Sequence, residues 1–264
     1  MAKAIAERHG KASRAVLFYG SCLRQKQLDG LMLDFYLIVS DYRAAYAKRW
    51  LAAANRLIPP NVFHFEHGGL VAKYAVLSEA DFERLNGPET SSVSVWARFA
   101  QPSRLVWGAN KPARERAIAA VSRAAPTLLA AAGKRDGESD LDWWRRAFAL
   151  TYSAELRAER GGRAASVVDM DPDRYRRFSK PARQAAAQLH PKGSWAGRRI
   201  EGKALSVLRL AKASMTFAGG ADYIVWKINR HAGTDFKLKP WQQRHPLLAA
   251  ITLLPRLLKS GAIR

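Results

Sequence analysis

The chain has 264 residues, of which 48% are hydrophobic, and it carries a formal charge of +22. This length and apolar content suffice for one large domain or two small ones with a buried core, and they exclude a chain that is disordered throughout. The 44 basic residues against 22 acidic ones favour an anionic partner, either nucleic acid or an acidic membrane surface.

The positive charge is concentrated in the C-terminal part of the chain. Up to Asn110 there are 14 basic and 9 acidic residues, whereas from Arg174 to Arg264 there are 19 basic and 3 acidic. A genome-wide preference for arginine is the alternative explanation, but a uniform bias would not separate in this way. We therefore expect the C-terminal part to meet the anionic surface.

Three features bear on the compartment. Cys22 is the only cysteine, which excludes an intrachain disulfide and fits a reducing cytoplasm. Residues 1–14 are charged throughout, so no signal peptide is expected. The longest apolar stretch, residues 246–258, is shorter than the roughly 20 residues that cross a bilayer. We expect a cytoplasmic protein without a transmembrane span.

Hydrophobic patterning divides the first 110 residues into a mixed α/β unit. Two apolar runs predict buried strands, and aromatic residues at helical spacing predict a helix that the Pro59-Pro60 pair ends. A further pair of strands, a helix capped by Ser78 and a helix followed by a short strand complete the unit. The predicted elements are strands at 15–21, 31–39, 61–65 and 69–77, helices at 42–57 and 78–84, and a helix and strand within 92–107.

Beyond Pro112 the pattern is helical. The sequence predicts a helix over 114–132 with a break at its proline, a helix over 141–160 ended by Gly161-Gly162, and a basic amphipathic helix over 199–217. The polar loop 134–140 is the best internal boundary. We expect a domain of residues 1–110, a mainly helical domain of residues 111–200 and a basic helical region of residues 201–264.

The strongest chemical signal is Gly20-Ser21 followed, after twelve intervening residues, by Asp34 inside an apolar strand. This spacing is typical of nucleotidyltransferases related to DNA polymerase β. Glycine allows the backbone to approach a triphosphate, and the serine hydroxyl can donate to phosphate oxygens. A strand aspartate can hold Mg²⁺ against the same phosphates. The alternative is a turn glycine, a cap serine and a structural ion pair.

The usual motif carries a second carboxylate two residues after the first, where this chain has Tyr36. One carboxylate alone binds a metal weakly, so another acid must assist. Asp41, Glu66 and Glu155 are the candidates, with Asp41 at the end of the same strand as Asp34. The sequence does not decide among them.

Several elements together resemble the mitochondrial translocator assembly and maintenance family of phosphatidate cytidylyltransferases and its bacterial relatives. The similar segments, in chain order, are YGSCLRQ (19–25), MLDFYLIV (32–39), KYAVLS (73–78), ARFAQPSRLV (97–106), LTYSAELRAE (150–159) and the basic region 204–231. The family also lacks the second strand carboxylate. Ala75, Ala97 and Gln101 depart from its glycine, glycine and lysine, respectively. Glu155 stands where the family has aspartate.

The resemblance implies an activity and a set of partners. The family condenses CTP with phosphatidic acid to CDP-diacylglycerol and pyrophosphate with Mg²⁺, as a peripheral enzyme with a nucleotidyltransferase domain, a winged-helix-like domain and a helical C-terminal region. We therefore expect CTP, phosphatidic acid and an anionic membrane surface as partners, no nucleic acid, and a location on the inner face of the cell membrane.

The resemblance also implies roles for particular residues. Gly20, Ser21 and Asp34 would be catalytic, with Asp34 and Asp41 as candidate metal ligands. Triphosphate binding would fall to Lys73 and Arg98 beside Tyr19, Gly20 and Ser21. Arg157 would bind the lipid phosphate, and Glu155 would assist the metal or that phosphate.

Other interpretations stay open at this stage. Lys73 and Arg98 can equally form surface ion pairs, and Glu155 with Arg157 can be a solvent-facing helix pair. His64 and His67 flank Glu66, but no further ligand pattern supports zinc. Residues 246–258 either lie in the membrane interface or pack on the core. The rival functions are a nucleotidyltransferase acting on RNA or another phosphorylated acceptor, and a non-catalytic basic adaptor.

Overall fold

The computed structural model describes residues 1–24, 31–156 and 167–216. Five strands form one mixed sheet, and helices pack around it among the described residues. The strands are β1 (Ser13–Tyr19), β2 (Met32–Val39), β3 (Asn61–His67), β4 (Leu70–Ser78) and β5 (Ser103–Gly108). The predicted α/β class with a mixed sheet is confirmed.

The helices of the first half are short, and those of the second half are longer. In chain order they are α1 (Ala2–Glu7), α2 (Tyr42–Ala45), α3 (Arg49–Leu57), α4 (Glu79–Asn86), α5 (Trp96–Phe99), α6 (Lys111–Ser122), α7 (Ala124–Ala132), α8 (Asp140–Ala154), α9 (Pro172–Ala186) and α10 (Trp195–Thr216). Short 3₁₀ turns span Gly10–Ala12 and Ser21–Arg24. The described residues after Gly108 contain no strand, so the wing that the resemblance implies is not among them.

The sheet has the order β3-β4-β2-β1-β5. Only β2 and β4 run parallel, and every other neighbouring pair is antiparallel. Because successive side chains on a strand point to opposite faces, the apolar runs of β1, β2 and β4 supply both faces of the sheet. The central strands are therefore covered on both sides.

The two faces contribute to two separate hydrophobic clusters. One face, with Leu37 and Val76, packs with α1, α2 and α3. The opposite face, with Leu17 and Ile38, begins a larger cluster that continues through Trp96 in α5 into the helices that follow. Helices α4 to α9 therefore form a layer on the face that also carries Asp34.

Residues on both sides of the predicted boundary at 110/111 contribute to the larger cluster. Leu128 in α7, Trp144 in α8 and Tyr175 in α9 belong to it together with the sheet residues. The indole nitrogen of Trp144 donates to Ser179 Oγ at 3.0 Å, which satisfies its N–H inside the core. The proposed division into three domains stays a prediction.

Three helix boundaries differ from the sequence-based expectation. The helix predicted over 42–57 is two helices, because Tyr46 has an extended backbone and buries its ring against His9. The break predicted at Pro126 lies at Arg123 instead. Pro126 falls in the first turn of α7, where its missing N–H has no intrahelical acceptor to lose.

The third difference concerns the end of α8. This helix ends at Ala154, and Glu155 is extended, with φ −112° and ψ 154°. The expected continuation to residue 160 and the interpretation of Glu155 as part of a solvent-facing helix pair are therefore wrong. The glycine pair at 161 and 162 lies outside the described residues.

No helix among the described residues combines the length and apolar character needed to cross a bilayer. The stretch at 246–258 and its two interpretations lie outside the described residues.

Leu128 tests the continuity of the larger cluster. It is fully buried in α7, whereas Ile118 on the neighbouring α6 is 58% exposed. We expect Leu128→Ala to lower the free energy of unfolding by about 2–5 kcal/mol, because it leaves a cavity among helices and sheet. Ile118→Ala is the matched control and should change it by less than about 1 kcal/mol. Urea denaturation measures both, and equal small effects would contradict a shared core.

Candidate functional site

The site is built on one row of side chains that crosses the sheet. Cross-strand pairing places Lys73 beside Asp34, and Asp34 beside Tyr19. The row extends to His64 on one side and to Ser103 on the other. Directly paired residues point to the same face of a sheet, so these five side chains emerge together on the face covered by α4 to α9.

Asp34 and Lys73 form the central contact of this row. Lys73 Nζ lies 3.1 Å from Asp34 Oδ1, and the two side chains are 26% and 21% exposed. A half-buried carboxylate inside an apolar strand needs such compensation, because desolvation of a lone charge is costly. The structure thus brings together two residues that the sequence singled out separately.

Gly20 follows β1 directly and faces the same carboxylate. Its φ of +92° lies in the left-handed region, and a Cβ at this position would lie 3.0 Å from Asp34 Oδ2. Only glycine fits both the turn and the close approach. Ser21 is exposed at the start of the following 3₁₀ turn, next to this glycine. The result is a turn at the end of β1 whose bare backbone lies beside a carboxylate and a lysine.

Arg98 reaches the row from α5. Its guanidinium carbon lies 5.6 Å from the centre of the Tyr19 ring, a cation–π arrangement. Burial disfavours the charged form of Arg98, but the electrostatic influence of Tyr19, Tyr36, Glu155 and Asp34 outweighs it and raises the pKa of this guanidinium. Arg98 is therefore a permanent positive charge beside the row.

Tyr36 occupies the position of the missing second carboxylate. It is 2% exposed, and its ring packs 5.2 Å from that of Tyr19 and 5.1 Å from that of Phe99, measured between centroids. Burial raises its pKa, which keeps the hydroxyl protonated. Tyr36 thus forms the apolar wall behind Asp34 and does not replace a metal ligand.

Glu155 enters the site from the end of α8. Its extended backbone turns the chain out of the helix, and it is only 8% exposed. Glu155 contributes to the electrostatic environment of Arg98, Tyr36 and Arg209. It is the second carboxylate of this region, with arginine residues as its charged neighbours.

Two other candidate carboxylates lie elsewhere. Asp41 follows the opposite end of β2, about 20 Å or more along the strand from Asp34, and its side chain caps α2 by accepting from the N–H groups of Arg43 and Ala44. The expectation that Asp41 shares a metal with Asp34 is therefore wrong. Glu66 is 69% exposed near the outer end of β3.

The remaining predictions have simple outcomes. Gln101, at the family's lysine position, donates to Ala97 O at 3.0 Å and so closes α5. His64 Nε2 lies 3.5 Å from Glu66 Oε1, and the described residues contain no group of three or more histidine, cysteine, aspartate or glutamate side chains arranged for a metal. Arg157 lies outside the described residues.

The sequence did not single out the two cations that α10 brings near the site. Arg209 Nε donates to Pro59 O at 2.8 Å, and Lys212 Nζ donates to Ile58 O. Burial lowers the pKa of Arg209, although Glu155 and Tyr36 oppose the shift. Burial and the neighbouring Arg209 lower the pKa of Lys212 to about 7. The sequence feature that could have identified Arg209 and Lys212 is their spacing from Gly202, which places all three residues on one face of the helix.

The oxygen ligands that the described residues offer suit a magnesium ion only when a phosphate group supplies the others. Mg²⁺ in proteins is commonly held by one or two carboxylates together with substrate phosphates and water. Asp34 supplies one carboxylate, and the backbone at Gly20 beside it carries no side chain. The described residues therefore fit a magnesium ion that arrives with a triphosphate and do not form a closed protein cage.

Comparison with known proteins adds little to this geometry. No family model matches the chain, and no curated protein matches it significantly. Among solved structures, the chain is similar to a nucleotidyltransferase-like protein from Exiguobacterium sibiricum 255-15. The identity is 11%, the TM-score is 0.28, and the match covers 97% of this chain and 88% of that one. A likeness at this level carries no argument about the site.

Substitution of Gly20 tests whether the bare turn beside Asp34 is needed for nucleotide binding. Gly20→Ala and Gly137→Ala each put an alanine at positive φ, but only the first meets a neighbour, since nothing lies within 4 Å of a Cβ at Gly137. We expect both to lose about 1–2 kcal/mol of stability. Only Gly20→Ala should also lose affinity, by about tenfold or more in titration calorimetry, for CTP with Mg²⁺, the ligand that the sequence resemblance predicts. Equal CTP affinity in the two variants would contradict the arrangement.

Proposed function

We propose that the protein is a magnesium-dependent nucleotidyltransferase that transfers a nucleotidyl group from a nucleoside triphosphate to a phosphate acceptor. The observation that carries this proposal is Asp34, held 3.1 Å from Lys73 and facing the positive-φ backbone of Gly20. A carboxylate, a lysine and a bare turn at one end of the sheet form a suitable environment for a metal-bound triphosphate.

Each of these residues has a distinct role in the proposed reaction. The Ser21 hydroxyl and the turn at Gly20 donate to phosphate oxygens, and Lys73 offsets their charge. Arg98, fixed over the Tyr19 ring, offsets the negative charge of the two phosphate groups that react. Asp34 would hold Mg²⁺, which supplies Lewis-acid neutralisation of the phosphates when bound.

The proposed transfer requires no strong general base. An oxygen of the acceptor phosphate, already anionic near pH 7, forms a bond to the α-phosphorus. The bond between the α-phosphorus and the oxygen bridging to the β-phosphorus breaks, and pyrophosphate leaves with that electron pair. The described residues around Asp34 fit this requirement, because Lys73 and Arg98 add positive charge to the region.

The finer proposal is that the nucleotide is CTP and the acceptor is phosphatidic acid, giving CDP-diacylglycerol. It rests on the resemblance of residues 19–25, 32–39, 73–78, 97–106 and 150–159 to phosphatidate cytidylyltransferases. The +22 charge also supports an anionic lipid surface, because each basic side chain near such a surface contributes about 1 kcal/mol to association. On this proposal the protein acts as a peripheral enzyme on the inner face of the membrane.

A labelled-nucleotide assay tests both levels of the proposal. The full chain is incubated with Mg²⁺ and each of the four α-labelled ribonucleoside triphosphates, and the acceptor is either phosphatidic acid in vesicles or a mixed-sequence RNA. Label from CTP in CDP-diacylglycerol is the expected result. Label in RNA would replace the lipid assignment with the RNA one. No transfer to any acceptor, with salt-sensitive vesicle binding retained, would favour a non-catalytic adaptor.

Asp34 and Asp41 form a matched pair of variants for the same assay. We expect Asp34→Asn to lower the transfer rate by about a thousandfold, since metal and phosphate positioning contribute several kcal/mol to such reactions. Asp41→Asn should leave the rate within about threefold, because this side chain caps α2 at the opposite end of β2. Unchanged transfer by Asp34→Asn would exclude the mechanism.

A further inference from the structure

Helix α10 carries a stripe of buried or partly buried polar positions that the proposed mechanism does not use. Arg198, Gly202, Ser206, Arg209 and Lys212 recur at intervals of four, four, three and three residues, which places them on one face. Arg198 is 2% and Lys212 is 5% exposed. A helix whose buried face carries arginine and lysine side chains is unusual, because charged side chains are rarely buried without a partner.

The N-terminal part of this stripe anchors α10 to the helices and loop beside it. Arg198 donates to Ser91 O at 2.7 Å and lies over the Trp96 and Trp195 rings, at 5.5 and 5.6 Å from their centroids. These contacts fix the first turns of α10 on α5 and on the segment that precedes it. They account for Arg198 structurally.

The middle of the stripe sets how closely α10 approaches the site. A Cβ at Gly202 would overlap the carbonyl oxygen of Ala154, the last residue of α8. One turn later, Ser206 Oγ accepts from the N–H of Leu156 at 3.3 Å. These two contacts bracket Glu155, so α10 packs directly against the backbone segment that carries this carboxylate.

Arg209 follows Ser206 by one turn and lies beside this carboxylate. Glu155, Tyr36, Arg98 and Glu201 are its electrostatic neighbours. Among the described residues, its guanidinium makes one hydrogen bond, from Nε to Pro59 O. A guanidinium carries five N–H donors, so the group retains the capacity for a two-pronged contact with a phosphate.

The local charges favour an anionic ligand at this place. Lys73, Arg98, Arg209 and Lys212 lie in this region together with Asp34, Glu155 and Glu201, and Lys73 already pairs with Asp34. Glu155 then has two arginine neighbours. Guanidinium groups at such a place can donate to a phosphate group in charge-assisted pairs.

We propose that Arg209, together with Arg98, forms the subsite that binds the phosphate group of the acceptor. This inference rests on the proposed transferase function and deepens it, because it assigns the second substrate to α10 and the triphosphate to the turn at Gly20 and to Lys73. The negative charge of Glu155 acts on both arginines and so holds them near one another. Glu155 is therefore a positioning residue. The ligand class is a phosphate monoester, from a lipid headgroup or from a small molecule.

Arg209→Gln, Arg209→Lys and Arg199→Gln separate this role from a structural one. Arg199 is an exposed cation on the same helix and serves as the matched control. For the full-length protein, the KM for phosphatidic acid in phosphatidylcholine vesicles is compared with that for glycerol 3-phosphate, and the Kd for CTP with Mg²⁺ is measured alongside. Direct binding of glycerol 3-phosphate and of the vesicles, without nucleotide, provides a readout that needs no turnover.

We expect Arg209→Gln to raise the KM of the accepted phosphate monoester, and its Kd, by about tenfold or more, since a charge-assisted contact is lost. Arg209→Lys should recover part of this loss, and Arg199→Gln should stay within about twofold. The Kd for CTP should stay within about threefold in all three. If Arg209→Gln weakens binding of the phosphatidic acid vesicles alone, the phosphate that the subsite recognises belongs to the lipid headgroup. If the substitution weakens binding of glycerol 3-phosphate as well, the subsite recognises phosphate monoesters in general.

Two results would overturn the inference. An equal rise in the CTP Kd and the acceptor Kd in Arg209→Gln would mean that Arg209 only supports the fold. No change in either would mean that Arg209 only anchors α10 to Pro59. Failure of the proposed function is distinct, because the wild-type chain would then transfer no nucleotide while its binding of phosphate monoester, and the effect of Arg209→Gln on that binding, remain measurable.

Discussion

The structure is organised around a carboxylate placed in a buried strand. Asp34 interrupts an apolar run in β2, the central strand of the sheet, where an unpaired charge would be unfavourable by several kcal/mol. Lys73 on the parallel neighbour β4 compensates it at 3.1 Å. Because the two residues are register partners, the pair forms only when β2 and β4 align correctly. One ion pair therefore couples strand register to the site.

The same carboxylate constrains the turn that follows β1. Gly20 approaches Asp34 Oδ2 closely at a φ of +92°, so the turn can pass the carboxylate only without a side chain. The exposed backbone that results is what a phosphate group would contact. A requirement of folding and a requirement of the proposed chemistry thus fall on one residue.

Much of the fold and part of the site follow from local sequence patterns. Runs of apolar residues predicted four strands and the short fifth one, because strands that are buried on both faces carry apolar side chains at successive positions. Gly20, Ser21 and Asp34 were found by spacing, since one turn and one strand position suffice to define them. Lys73 and Arg98 were found only through the resemblance, because their partners are distant along the chain.

The remaining features depend on tertiary packing and had no local signal. The helix over 42–57 is interrupted because Tyr46 gains more by burying its ring against His9 than by continuing a helix. Glu155 looked like a helical surface residue, yet α8 ends one residue earlier, and the extended backbone delivers the carboxylate to the arginines. Asp41 was a candidate metal ligand because it follows the same strand as Asp34, but the length of strand between the two residues excludes a shared metal.

The character of the site also bears on the kind of acceptor. A nucleotidyltransferase that activates a neutral hydroxyl needs a base close to its metal, and a second strand carboxylate commonly lies there. In this protein that position is the buried, protonated Tyr36, and the neighbouring groups from α5 and α10 are the cations Arg98 and Arg209. Replacing a carboxylate by a phenol lowers the negative charge of the site, and adding arginines raises its positive charge. The first change removes a base that could take the proton of a hydroxyl, and both changes favour an acceptor that is already an anion.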